Sequence, residues 1–258
     1  MELVKRCWIY LTKVDPMLYF RPTRGMSLAL IPALLILLWL GFWQVQRLHW
    51  KNDLIAKMDA GSAQAARPFT ELQNQKGQLP DDLAWQQVQV RGTFVADVPM
   101  RRLYTIYEGV VGYRYLTLLA IDGAPVLFVD RGFAPIGQAP TPIPTGAVIA
   151  KGFLHPAGVT GWMSPEPDQE KNLWYWRDIK KMLPDHLAAP RFISNFVIDL
   201  AATDEVSVWP RPVGAPQRPP NNHLDYALTW FGLAISLLGV YLVWHWKNGF
   251  LRFSSTRS

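Results

Sequence analysis

Arg218-Pro-Pro-Asn-Asn-His-Leu-Asp-Tyr-Ala-Leu-Thr-Trp230, running without a break into the apolar stretch Phe231 to Trp246, is the segment around which the chain is organised. From Tyr226 to Trp246 there are 21 residues without an Asp, Glu, Lys or Arg. At a rise of about 1.5 Å per residue, that is enough α-helix to cross a bilayer core of roughly 30 Å. A stiff Pro-rich approach, a cluster of hydrogen-bonding side chains and a membrane helix meet at one point. His223 falls at the lip of the span. Tyr226 and Trp230, three and seven residues further on, are expected on the same helical face.

A second run without charge, the 22 residues Gly25 to Gln46, lies near the other end of the chain. A cleaved signal peptide is the rival reading. The apolar run exceeds the roughly 7–15 residues usual for one, a basic region of 24 residues precedes it, and no small-residue cleavage site follows directly. An uncleaved signal anchor is therefore expected. The expected fold class is a membrane protein with two transmembrane α-helices flanking a β-rich (α+β) extramembrane domain. Its divisions are a basic tail over 1–24, a first span over 25–46, the domain over 47–222, a second span over 223–246 and a basic tail over 247–258.

The charge distribution supports this organisation. The sequence pI near 9.5 invites a nucleic-acid reading. Yet residues 1–24 and 247–258 carry +3 each, the whole of the net +6, while the 222 residues between them hold 18 basic and 18 acidic side chains. Basic tails beside membrane spans are a topology signal, so no nucleic-acid partner is expected. Both termini are placed in the cytoplasm and the large loop in the periplasm, which gives the inner membrane of a bacterium, with the mitochondrial inner membrane as the alternative. Trp39, Trp43, Trp50 and Trp230 suit an aromatic belt among lipid headgroups on the outer side, and Trp244 and Trp246 one on the inner side. Trp8 to Phe20 is expected either along the membrane surface or as a disordered tail. The single cysteine, Cys7, rules out an intramolecular disulfide and any two-cysteine metal motif.

The first span ends Trp43-Gln44-Val-Gln46-Arg47-Leu-His49-Trp50-Lys51, where Trp43, Arg47 and Trp50 recur on one face. Two spans with nothing else to pack against tend to pair, and the small residues Ala29 and Ala33 opposite Gly232 and Ser236 are the expected seam. Between the spans, strands are expected at Trp85–Phe94, Arg102–Tyr107, Tyr113–Ile121, Val126–Phe133, Ala147–Leu154, Phe192–Leu200 and Glu205–Trp209. Turns at Glu108–Gly112 and Asp122–Pro125 separate some of them, and their spacing suggests an antiparallel sheet or partial barrel. One helix is expected at Trp176–Leu183. Ala134–Thr145, with four prolines, and Pro210–Pro220 are expected to be extended loops.

No Gly-x-Ser-x-Gly, Gly-rich phosphate loop or His-Glu-x-x-His is present, and an enzyme is not expected. His155 and His186 stand beside prolines and read as surface histidines. Asp130-Arg131-Gly132 reads as a structural turn pairing two charges, and Trp174-Tyr-Trp176-Arg-Asp178 as a core or docking-edge aromatic cluster with a surface ion pair. His223 leaves two readings open. Asn221 and Asn222 suit an N-cap, which would make the histidine a polar anchor at a capped helix start. Alternatively, a neutral imidazole here is an axial ligand to a haem iron, with a Trp stacked on the macrocycle and Arg47 paired with a propionate.

Four stretches resemble the surfeit locus protein one family. They are Leu40-Gly-Phe-Trp-Gln-Val-Gln-Arg47 with Trp50-Lys51, Val129-Asp-Arg-Gly-Phe133, Leu173-Trp-Tyr-Trp-Arg-Asp178 and, most specifically, Arg218 to Trp230. The resemblance runs from the first span to the second. It departs from the family pattern at Phe133, where a Trp is usual, and after Thr117, which lacks a following proline. It implies an assembly factor that receives haem a and passes it to subunit I of a haem-copper oxidase, with haem a synthesis enzymes as possible further partners. The motif histidine and the Trp seven residues later, the positions implicated in haem a binding, fall on His223 and Trp230. With Tyr226 and Arg47 these are the candidate site, His223 being the candidate iron ligand. A scaffold that holds oxidase subunits without a cofactor is the alternative, and the haem type and client oxidase are left open.

Overall fold

A computed structural model describes residues 16–72, 79–122, 125–158, 160–184, 192–202 and 208–255. The segment Trp8–Asp15, Cys7, His186 and most of the expected strand at Glu205–Trp209 lie outside these residues. The chain divides into two compact units, Met1–Asn52 with Pro220–Ser258, and Asp53–Pro219.

The first unit is built on two helices long and apolar enough to cross a membrane, α1 (Arg24–Ser62) and α3 (His223–Lys247). They flank a β-rich domain, so the fold is that of a two-span membrane protein with an α+β domain. α1 continues 16 residues past Gln46. Its 39 residues extend about 58 Å at 1.5 Å each, close to twice a bilayer core. The end of the uncharged run marks a change in side-chain polarity, not a helix end. Pro32, inside α1, is tolerated because membrane helices re-satisfy the freed carbonyl locally.

Among the less exposed positions of α1 are Ser27, Leu30, Leu34, Leu37, Gly41 and Gln44, and among those of α3 are Ala227, Trp230, Ala234, Leu237 and Tyr241. Alternating steps of three and four residues on both helices are the seam of a paired-helix packing. The closest approach is at Gly41, where an added Cβ would lie 2.6 Å from the Phe231 ring. Phe42 meets the same ring edge-on at 5.4 Å. The expected small-residue seam is therefore corrected. A Cβ at Gly232 would meet nothing within 4 Å, and Ala29 and Ser236 are exposed. Gly41 gives the close approach at the crossing, the small residues Ala227 and Ala234 and the half-buried Ala33 share the seam, and leucines and aromatics fill the rest.

At the far end of this pair, an antiparallel ribbon of β1 (Pro16–Phe20) and β10 (Leu251–Ser255) joins the segment before α1 to the segment after α3. His245, 0% exposed, donates from Nδ1 to the Tyr241 carbonyl at 2.8 Å. Its Nε2 accepts from the Thr23 backbone N–H at 3.2 Å, and the Phe20 and Phe250 rings pack around it. Both ring nitrogens are used, so His245 acts as a neutral structural pin.

The second unit contains an eight-stranded sheet. Its members are β2 (Arg67–Pro68), β3 (Gln87–Phe94), β4 (Arg101–Tyr107), β5 (Val110–Ile121), β6 (Val126–Pro135), β7 (Ala147–Pro156), β8 (Leu173–Trp174) and β9 (Phe196–Leu200), in the order β2-β3-β7-β9-β6-β5-β4-β8. β3 also pairs with β5, through Gly92↔Ile121 to Phe94↔Leu119. That pairing closes β3, β7, β9, β6 and β5 into a small barrel, with β4 and β8 continuing outward from β5. Alternation along the strands separates two cores. Val88, Val90, Leu119, Leu127, Val129, Leu154 and Ile198 belong to one cluster. Leu116, Leu118, Phe128 and Val197, pointing the other way, join Trp174 of β8 and Ile179 and Met182 of α2 (Ile179–Met182) in the second. Being covered on both faces explains why β5, β6 and β9 read as nearly continuous apolar runs.

Six of the seven expected strands are present as β3, β4, β5, β6, β7 and β9 with different boundaries, Val208–Trp209 is not strand, and β1, β2, β8 and β10 were not expected. β5 begins at Val110, because the tight turn is only Glu108-Gly109, both at positive φ. The expected eight-residue helix is the four-residue α2.

Candidate functional site

At the mouth of the helix pair, α3 begins with His223, and its seam face carries Trp230 two turns further on. Asn222 holds the N-cap position but makes no side-chain cap bond, and Asn221 instead donates from Nδ2 to Asn52 Oδ1 of α1 at 2.8 Å. The capping role expected of these two asparagines is thus corrected: neither side chain caps the helix, and Asn221 bridges to α1 instead.

His223 Nδ1 lies 2.7 Å from Oε1 of Gln44. An amide oxygen only accepts, so Nδ1 donates this bond, and in the neutral ring that leaves the lone pair on Nε2. Gln44 is 8% exposed, in the middle of an otherwise apolar face. Sequence reasoning quoted this residue and passed over it. The available signal was the expense of an amide inside an uncharged helical run, which marks functional positions in membrane helices.

The other three candidates are placed differently. Trp230 is partly buried, and its Nε1–H is shielded from solvent without a hydrogen-bond acceptor, as is the Asn221 Oδ1 without a donor. Tyr226 is 56% exposed and lies outside the seam. Arg47 stacks over the Trp50 ring of its own helix, 4.2 Å from the centroid, on the exposed face with Trp43. Of the four candidates, then, the structure ties His223 to the facing helix, leaves the Trp230 Nε1–H without an acceptor, and turns Tyr226 and Arg47 away from the seam.

The β domain holds a second polar cluster, which sequence reasoning resolved only in fragments. The parallel pairing of β6 and β9 sets Asp130 beside Asp199. The β5–β6 register shifts where Arg131 and Gly132 of β6 stand opposite Tyr115 alone, a β-bulge in β6, and Arg114 beside it pairs with both carboxylates, 2.7 Å from Asp130 and 3.2 Å from Asp199. Arg177 reaches Asp130 at 2.9 Å and Asp199 at 3.1 Å, and His155 Nδ1 lies 3.1 Å from Asp199. Three expectations are corrected here. His155 is in strand β7 and belongs to a charge network. Asp130-Arg131 is mid-strand, where alternation sends the two side chains to opposite faces, and Arg131 donates to Thr141 Oγ1 at 2.9 Å. Arg177 is buried against two aspartates, while Asp178 caps α2 by accepting from the Lys181 backbone N–H. Trp174 is core, and Tyr175 and Trp176 are exposed.

Burial lowers the His155 pKa from 6.5, with the Arg177 and Arg114 charges adding to it and Asp199 opposing. Burial would raise Asp199, but Arg177 and Arg114, then His155, outweigh it and hold the carboxyl well below 3.8. Both shifts have the same consequence. At these two groups the unfolded chain binds protons that the folded domain does not, so stability is lost as pH falls, first below about 6.5 through His155 and again below about 4 through Asp199, the latter opposed by Asp130, whose carboxyl burial pushes up. A series of urea midpoints from pH 8 to 4 should be flat above pH 7 and decline below it. His155→Gln should flatten the upper part of the decline only, and an unchanged profile in that variant would remove His155 from the account.

The chain matches the family model described as SURF1 family over residues 31–235. It is similar to the SURF1-like protein of Rickettsia felis, 29% identical over 234 residues, covering 84% of this chain and 96% of that protein. It is also similar to Surfeit locus protein 1 of Gallus gallus, 30% identical over 229 residues (75% of this chain, 67% of that protein), and of Homo sapiens, 28% identical over 241 residues (83% and 73%). The matched region takes in the Gly41–Phe231 crossing, the whole sheet domain, Gln44, His223 and Trp230.

Proposed function

The chain belongs to the SURF1 family, and on that premise we propose that it is a membrane-bound assembly factor for a haem-copper terminal oxidase, which takes up haem a at the mouth of the α1–α3 pair and assists its insertion into subunit I. It is not a catalyst in this reading. The mouth opens on the periplasmic side of a bacterial inner membrane, both termini are cytoplasmic, and the β domain faces the client subunit. Haem a synthesis enzymes are the natural donors.

The observation that carries the reading is the His223–Gln44 bond. A neutral imidazole anchored through Nδ1 is the form in which histidine binds iron through Nε2. Trp230 offers a flat face and an unsatisfied N–H on the same side of α3. Arg47, if it leaves Trp50, supplies the cation for a propionate. One protein ligand with an open second position holds haem loosely enough to give it up.

The test is the visible absorption spectrum of the detergent-purified protein, co-expressed with the haem a synthesis enzymes, beside His223→Ala. The expected result is a bound-haem spectrum in the wild type that is lost in the variant. A spectrum unchanged by the substitution would keep the carrier and remove His223 as ligand. No haem in a folded wild type with a demonstrated haem supply would favour a cofactor-free scaffold that stabilises oxidase subunits.

A further inference from the structure

We propose that Gln44 is the positioning residue that selects the iron-binding nitrogen of His223, so that ligand and orienting group are supplied by different helices. The inference rests on the haem-carrier reading above. An amide buried in a membrane helix is costly unless its hydrogen bonds are made, and Gln44 is buried with its oxygen 2.7 Å from His223 Nδ1. With the proton fixed on Nδ1, the lone pair is on Nε2. The other tautomer would set the Nδ1 lone pair against the Gln44 oxygen and would require the amide to turn over and offer its NH2 instead. A ligand histidine held through its second nitrogen has its ring rotation fixed and its basicity raised.

The geometry around the pair assigns the orienting role to Gln44 rather than to its neighbours. Arg47 is engaged with Trp50, Asn221 with Asn52, and the Asn222 side chain makes no cap bond. Gln44 lies on the seam of α1, and the approach at Gly41, one turn away, fixes the separation of the two helices there. The tautomer of His223 is therefore a property of the helix pair, not of α3 alone.

Two measurements test this on the full-length protein in detergent, with helix content checked by circular dichroism. In the haem-free protein, ¹⁵N chemical shifts of labelled histidine, with His223 assigned by loss of its signal in His223→Ala, should show Nδ1–H in the wild type. Gln44→Leu should move His223 toward the Nε2–H form that dominates in free histidine, and Gln44→Glu, which keeps an acceptor oxygen, should restore Nδ1–H. In the haem-loaded protein, the ferrous iron–histidine stretch in the resonance Raman spectrum should fall in Gln44→Leu and recover in Gln44→Glu, and haem affinity should fall about tenfold in Gln44→Leu. The same tautomer in wild type and Gln44→Leu, or an iron–histidine stretch unmoved in both variants with helix content intact, would overturn the proposal. A wild type that binds no haem would sink the carrier reading instead, and the tautomer measurement would still decide the Gln44 bond.

Discussion

Arg177→Met is expected to cost the β domain about 3–5 kcal/mol, the range found when one partner of a buried ion pair is removed and the other left behind. Arg177 is 9% exposed and bridges two carboxylates, Asp130 at 0% and Asp199 at 5% exposure. Those carboxylates are direct neighbours in the parallel β6–β9 register. Without Arg177, both must be balanced by Arg114 alone, in a place water does not reach. A domain stability of about 5–15 kcal/mol makes this a large fraction of the total. Urea unfolding of the detergent-purified protein, followed by near-ultraviolet circular dichroism, is the measurement. Arg177→Lys should lose an intermediate amount, because a single ammonium cannot address two carboxylates as a planar guanidinium does. Arg177→Met combined with Asp130→Asn and Asp199→Asn should recover part of the loss, since the uncompensated charges are gone. A loss below about 1 kcal/mol in Arg177→Met would show that the pairs are dispensable.

The same cluster shows where sequence reading stops. The two spans were legible because charge is absent over 22 and 21 residues, and the strands because apolar runs end at Gly, Asp and Pro. These are local signals. Asp130 pairs with residues 16 positions before it and 47 after it, and those distances are set by strand register, which no local pattern encodes. The clue that was present, an aspartate inside each of two apolar runs, points to partners without naming them. The helix pair is similar. Its existence followed from topology, but the seam followed from Gly41 and from the steps of three and four, while the more obvious small residues at Gly232 and Ser236 face outward. At the candidate site, the sequence indicated His223 and Trp230 through a motif. Gln44 was hidden because its role is defined only by the histidine opposite it.

Gly132→Ala is expected to be at least as damaging as the loss of Arg177, for a reason of backbone and not of charge. Gly132 sits in β6 at φ +119°, a region that L side chains rarely adopt. A Cβ there would overlap the carbonyl oxygen and carbon of Arg211, which are backbone and cannot swing aside. The approach is close because the Pro-rich segment entering at Pro210 is bridged to β6 through Phe133, with N–H to carbonyl bonds of 2.8 Å in both directions between Phe133 and Arg211. The Gly132 N–H also donates to Asp130 Oδ1 at 2.9 Å, so moving this residue disturbs the charge network as well. Strain, overlap and a weakened buried carboxylate act together, and the expected cost is about 4 kcal/mol or more, in the range reserved for a few named mechanisms. Gly109→Ala is the control. It too has positive φ, +79°, but its Cβ would meet nothing within 4 Å, so only the conformational term of about 1 kcal/mol should appear. Urea midpoints for both variants separate the two contributions. Similar small losses would mean that the Arg211 segment can shift away from β6, and the tight bridge at Gly132 would then not be what holds that segment against the sheet.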